Sequence, residues 1–274
     1  MNGWNLDPVE LGGVLLVGAL YWRRARTLAG RGRPVPRLRW LPFALGLLMI
    51  LVALVSPIDT IGETRLFSVH MLQHLLLGDL AALLLVLGLD GRLLRPLLQI
   101  RVVHRLRVLA HPLVALPLWA ANFSVWHVPA LFDAALRNDA IHALQHSLFV
   151  ALGMLMWAAL LEPLPGPAWF SAPWKIPYVL AMWLVMLVLS QIFIWSSHAY
   201  YAPYVHDPRL WGLTALQDQK AGGGVMLVES AFTMLPALVW VLLQIFRESE
   251  ARQQLIDAGI APAAAARAAR YGRA

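Results

Sequence analysis

Two histidines four residues apart, His70 and His74 in SVHMLQHLLLGDL, and two more at the same spacing, His142 and His146 in IHALQHSLFVALGMLMW, are the residues best suited to chemistry in this sequence. On an α-helix that spacing stacks both side chains on one face, about 6 Å apart along the axis. Two such helices facing each other would gather four imidazoles in a small volume. His127, in SVWHVPALF, closes another apolar stretch at the same level. Gln73 and Gln145 stand beside the pairs and could orient an imidazole through its other nitrogen. Met71 adds a thioether. The chain has no cysteine, so a metal site must use imidazole, thioether, carboxylate or amide groups. A nitrogen-rich set with a thioether nearby suits copper, with zinc and haem iron as competitors. A lone imidazole at a membrane surface serves as a polar anchor, and Met71 alone reads as packing. Two pairs and a fifth ring at one depth need a shared partner.

Three acidic positions join them. Asp79 lies deep in the same apolar segment as the first pair, five residues past His74 and about 140° round a regular helix from its stripe. A carboxyl at that depth is a functional candidate, for a proton or an arginine, or is protonated and bonded to a neighbouring helix. Glu229, one turn into the last apolar segment, has the same two readings. Just before that segment, Gln217, Asp218 and Gln219 sit at a helix start. A carboxylate is favoured there and could also hold a ligand histidine.

The elements that position these residues are membrane spans. The 274 residues are 59% hydrophobic and only 14% charged, with mean hydropathy +0.64, and the apolar residues come in long runs. The runs predict seven spans, over about 8–22, 40–55, 68–89, 112–126, 141–161, 176–195 and 224–246, in one all-α bundle, with a tail at 247–274. Eighteen of the 22 basic residues fall in alternate connections and the tail; Arg65, Arg137, Arg209 and Lys220 fall on the other side. Basic loops stay cytoplasmic, so the N-terminus is expected outside and the C-terminus inside. The net charge of +7 then reads as topology and contact with anionic lipid, not as nucleic-acid binding. Arginines follow the first span and none precedes it, unlike a cleaved leader. The tail APAAAARAARYGRA is expected to fray and is assigned no function. This topology puts His104 and His111 inside, and His70, His74, His127, His142, His146, His198 and His206 at outer ends of spans.

In order along the chain, HMLQHLLL, WHVPALFDAAL, HALQHSLFVALGMLMWAALLEPLPG and LTALQDQKAGGGVM resemble the CtaG family of cytochrome c oxidase assembly factors, the multi-pass kind associated with caa-type oxidases. The resemblance covers about residues 68–246 and, more loosely, the first two spans. It implies a seven-span plasma-membrane protein, not an enzyme, that supplies copper to the metal centres of a maturing oxidase. Its partners would be oxidase subunits and membrane lipid. The family's recurring polar positions fall on His70, His74, His127, Asp133, His142, His146, Asp218 and Gln219. The chain departs from the pattern at Gln145, where the family often has Glu, and at Leu227, where it often has Trp.

Two other chemistries fit the residues. A seven-span zinc hydrolase would hold zinc with three of the histidines and activate water with Asp79 or Asp133. A haem protein would take one histidine from each facing helix as axial ligands. Metal analysis separates the first from copper handling, and a Soret band would reveal the second.

Overall fold

The computed structural model describes residues 4–5, 7–206 and 210–271, and the described chain is all-helical without strands. The side chain of His206, and Arg209, lie outside the described residues. The elements are α1 (Pro8–Gly30), α2 (Arg37–Val55), α3 (Pro57–Thr64), α4 (Phe67–Leu87), α5 (Gly91–Leu98), α6 (Arg101–Ala110), α7 (Pro112–Val125), α8 (Pro129–Arg137), α9 (Asp139–Leu161), α10 (Ala172–Trp195), α11 (Ala215–Asp257) and α12 (Pro262–Tyr271). Five of them, α2, α4, α9, α10 and α11, are long and apolar enough to cross a bilayer. The pair α6–α7, bent by 78°, brings the number to six when read as one broken span. α1 has the length, 23 residues, but carries Glu10 in its first turn and Arg23, Arg24 and Arg26 further on.

α4 is the axis of the bundle. It is buried over most of its length, whereas α2, α9, α10 and α11 each turn a broad apolar face outward, as helices bathed in lipid do. α11 packs along both α4 and α10, α9 packs on α4 and α7, and α2 and α3 cover the remaining side of α4. Between Leu76 and Ala81 the hydrogen bonding of α4 widens into a π-helical turn. Such turns re-aim side chains and collect at functional sites.

The ends of these helices follow from local chemistry. Ser56 caps α3, accepting from the Ile58 amide at 3.3 Å, with Pro57 in the first helical position. Asn138 caps α9 by accepting from Ala140 and Ile141 at 3.0 and 3.1 Å. Thr214 and Gln217 form a reciprocal capping box at the start of α11. α4 has no cap of its own. Asp218 on α11 supplies one, accepting from the Phe67 amide (2.6 Å), the Ser68 amide (3.2 Å) and the Ser68 hydroxyl (2.5 Å).

The last residues differ from the frayed tail expected from composition. α11 continues to Asp257, and α12 folds back on the bundle through Arg270. That guanidinium donates to Glu162 at 2.9 Å and to the carbonyls of Pro167, Ala168 and Phe170. Glu162 also pairs with buried Lys175 at 3.2 Å. Burial here comes with partners for every charge, which is the condition for tolerating it.

Candidate metal centre

α4 and α9 meet through two glycines. A Cβ on Gly153 would fall onto the carbonyl oxygen of Gly78 and within 3.0 Å of Ala82. One on Gly78 would press on Phe149 at 3.2 Å. Lacking side chains at both points, the two backbones approach closely, and the segments N-terminal to the contact carry the two histidine pairs at the same height. Gly62 does the same for α3: a Cβ there would meet the His70 backbone at 3.0 Å.

The result is a compact set of rings. His70, His74, His142 and His146 are all buried, and each offers a nitrogen such that the four lie within 4.8 Å of one another. Four ligands on one ion with bonds of about 2.0–2.1 Å stand about 3.3 Å apart in a tetrahedron, so the four nitrogens lie within about 1.5 Å of the spacing that a shared ion requires. Ring centroids are 4.2 Å apart within the first pair, 4.0 Å within the second, and 5.4 Å from His70 to His142 and from His74 to His146. Both nitrogens of His70 and His74, and Nε2 of His142 and His146, are shut off from water without a hydrogen-bond partner. Buried imidazole nitrogens without partners are costly, and a shared cation satisfies several at once.

Two orienting contacts set the tautomers. Nδ1 of His142 faces Glu63 Oε1 at 2.8 Å, which leaves Nε2 to the cluster, in the carboxylate–histidine arrangement that fixes metal-ligating imidazoles. Nδ1 of His127 faces the Phe123 carbonyl at 2.6 Å, and its Nε2 is buried and unpartnered. Outside the spans, burial pushes His127 down to about 4 despite that carbonyl, so the ring is neutral with a free lone pair. Its centroid is 6.1 Å from that of His74, one step outside the group of four. Phe132 covers the cluster 4.9 Å from His70, and Phe149 floors it 4.6 Å from His74. Tyr201 packs on Phe132 at a tilt, with ring centroids 4.1 Å apart, and donates to the His127 carbonyl at 2.8 Å.

The remaining sequence candidates divide by location. Gln145 is fully buried beside the second pair, with both amide atoms unpartnered. Gln73 turns away from the imidazoles: its amide donates to the Ala53 carbonyl (3.1 Å) and to Asp59 (2.7 Å), because α3 places that carboxyl beside α4. Burial, then the charge of Glu63, pushes the Asp59 carboxyl up from its ordinary value. Met71 packs toward Gly222 of α11. Asp218 caps α4 and holds no histidine, and Gln219 ties down the segment before α11 through the Tyr200 amide (2.7 Å) and the His198 carbonyl (3.1 Å). Asp133 pairs loosely with Arg137 at 3.4 Å on α8, and His198 is exposed.

Asp79 stands apart, deeper in the bundle. It accepts from Trp157 Nε1 at 2.7 Å and from the Thr233 hydroxyl at 3.1 Å. Glu229, one turn before Thr233, brings a second buried carboxyl beside it. The π-helical turn that contains Asp79 aims it at α9 and α11 rather than at the imidazoles.

Sequence reasoning missed Glu63, Asp59 and Phe132. Glu63 and Asp59 lie on α3, whose signal was the Ser56–Pro57 cap within the connection after the second span.

The family model for the cytochrome c oxidase caa3 assembly factor matches residues 19–248. Uncharacterized proteins of Mycobacterium bovis and Mycobacterium tuberculosis are each 26% identical over 261 residues, covering 87% of this chain and 38% of the relative. The chain therefore spans little more than a third of the length of these curated relatives. No solved structure matches at a significant level.

Proposed function

Because the chain belongs to the cytochrome c oxidase caa3 assembly factor family, we propose that it handles copper for the maturing oxidase, accepting the ion at the four-histidine cluster and releasing it to an oxidase subunit. The observation that carries this reading is the convergence of four imidazole nitrogens within 4.8 Å from two helices, in a chain without cysteine. Copper is the cargo, so the site has to let go of it. An all-imidazole set without thiolate suits that, because it lacks the strongest soft ligands. His127 adjoins the four and is available as an exchange ligand.

In this reading the chain crosses the bacterial plasma membrane seven times. The five long helices, the bent pair α6–α7 and α1 make up that number. The N-terminus is outside, the histidine mouth opens on the outer side, and the basic connections and the tail are cytoplasmic. The role is assembly rather than catalysis. Asp79 bonds to Trp157 and Thr233 instead of facing the imidazoles, which disfavours a water-activating carboxylate of the zinc-hydrolase kind.

The test is metal content by mass spectrometry after loading with Cu(I). Wild type should retain copper and a His70/His74/His142/His146 quadruple alanine variant should not. Equal copper in both, or none in wild type, would remove the proposal.

A further inference from the structure

At the end of the bundle opposite the histidines, the last turns of α1, the turn after it and α5 border a half-open cavity of ≈ 620 Å³, lined by Arg24, Arg31, Arg33, Arg92, Arg95 and Gln99 among others. Its volume lies in the range of ligand sites, roughly 300–1,000 Å³. Guanidinium groups converging on one space repel each other unless anions stand between them. The chain supplies one anion. Asp90 accepts from Nε and Nη2 of Arg92 at 3.0 and 2.7 Å while it caps α5. Among the described residues, Arg24, Arg31, Arg33 and Arg95 form no ion pair. Arg24 donates through Nη2 to the Arg92 carbonyl at 2.7 Å, yet its Nε is buried without an acceptor.

The surroundings indicate where the missing anion comes from. Leu97, Ile100, Val102, Leu106 and Val108, on α5, α6 and the turn between them, are each more than half exposed. Leu94, Leu97 and Leu98 of α5 line a second, apolar cavity of ≈ 810 Å³. A helix with arginines on one face and leucines on another settles in the headgroup layer, its apolar face toward the acyl chains. That depth is where lipid phosphates are.

We propose that the arginine cavity binds the phosphate of an anionic phospholipid, with the acyl chains lying along the apolar surface of α5 and α6. Arg24, Arg31, Arg33 and Arg95 receive the phosphate oxygens, and planar guanidinium forks match that geometry. Inorganic phosphate offers the same charge and oxygens, so the test includes it.

Protein in neutral detergent is titrated with phosphatidylglycerol, with phosphatidylcholine and with inorganic phosphate, and bound species are counted by native mass spectrometry. Wild type should retain phosphatidylglycerol selectively. Each basic side chain near a membrane surface contributes about fivefold, so Arg31→Gln/Arg33→Gln/Arg95→Gln should weaken retention about a hundredfold. These three positions are exposed, and an unchanged thermal midpoint in phosphatidylcholine shows that the variant folds. Arg95→Gln alone should lose about fivefold, and Arg137→Gln, at the other end, should lose nothing. Equal retention by wild type and the triple variant overturns the proposal, as does wild type binding phosphate but not the lipid.

Discussion

Replacing Glu63 by Gln should weaken copper binding without abolishing it. Glutamine keeps the size of the side chain and a carbonyl oxygen for the His142 Nδ1–H, so the 2.8 Å hydrogen bond can persist, while the negative charge is lost. Across the imidazole, that carboxylate and an ion on His142 Nε2 would stand about 7 Å apart, given nitrogen–metal bonds near 2 Å. At an effective dielectric constant of about 20, unit charges at that separation attract by about 2.4 kcal/mol. The Glu63 side chain is 36% exposed, and solvent screening reduces the benefit to about 1–2 kcal/mol. That corresponds to about a 5- to 30-fold loss of affinity, which overlaps the range found when carboxylates behind metal-bound histidines are removed. A competition titration against a chromophoric Cu(I) chelator reads the loss directly. Affinity equal to wild type would refute the orientation argument. A loss as complete as that of His142→Ala would refute it in the other direction, by making Glu63 itself a ligand.

Other substitutions probe the elements around the site. Gly153→Val inserts carbon where the Gly78 carbonyl stands. It should separate α4 from α9, cost about 1–3 kcal/mol in thermal or denaturant unfolding and lower copper affinity at least tenfold; normal affinity would mean that the glycine contact does not set the histidine register. Asp218→Ala strips three donors at the start of α4 of their acceptor and should cost about 1–3 kcal/mol, read from the same unfolding curves. Asp79→Asn keeps an oxygen for Trp157, and the Thr233 hydroxyl can turn to the Glu229 or Ser230 carbonyl, so it should cost about 1 kcal/mol or less and leave copper stoichiometry unchanged; lost copper would bring Asp79 into the site. Asp59 holds its proton to higher pH in the native state than in the unfolded chain, because burial and then Glu63 push its carboxyl up from 3.8. Its contribution to stability is therefore fullest in acid and declines as pH rises through its native value. Asp59→Asn should flatten that decline in unfolding measured from about pH 4 upward, and an unchanged slope would contradict it.

The histidine cluster was legible because helical spacing is a strong signal in long apolar segments. His70 with His74 and His142 with His146 could share a face only one way, and the glycines that bring α4 and α9 together were visible as residue types, though not as partners. What was hidden arose from elements too short for periodicity. α3 has eight residues. It decides the partner of Gln73 and the orientation of His142, yet it read as part of a connection. Counting at a regular helical pitch takes Asp79 off the histidine stripe and toward a neighbouring helix, and its bonds to Trp157 and Thr233 agree, although the π-helical turn at Leu76–Ala81 alters the angle. Met71 stands beside the first pair in sequence, and its packing against Gly222 of α11 agrees with the reading of it as a packing residue. The tail looked featureless in composition because what docks it is small buried alanines, Ala265 and Ala268, together with Arg270, which meets carbonyls from a loop about a hundred residues earlier.

The central claim is that imidazoles from two helices hold the copper. X-ray absorption at the copper edge of the Cu(I)-loaded protein tests it most directly. Copper held by the cluster should show three or four nitrogen neighbours near 2.0 Å with the outer-shell scattering of imidazole rings, lost in His70→Ala/His146→Ala. A first shell dominated by sulfur, which in this chain could come only from methionine, or a spectrum unchanged in that variant, would contradict it.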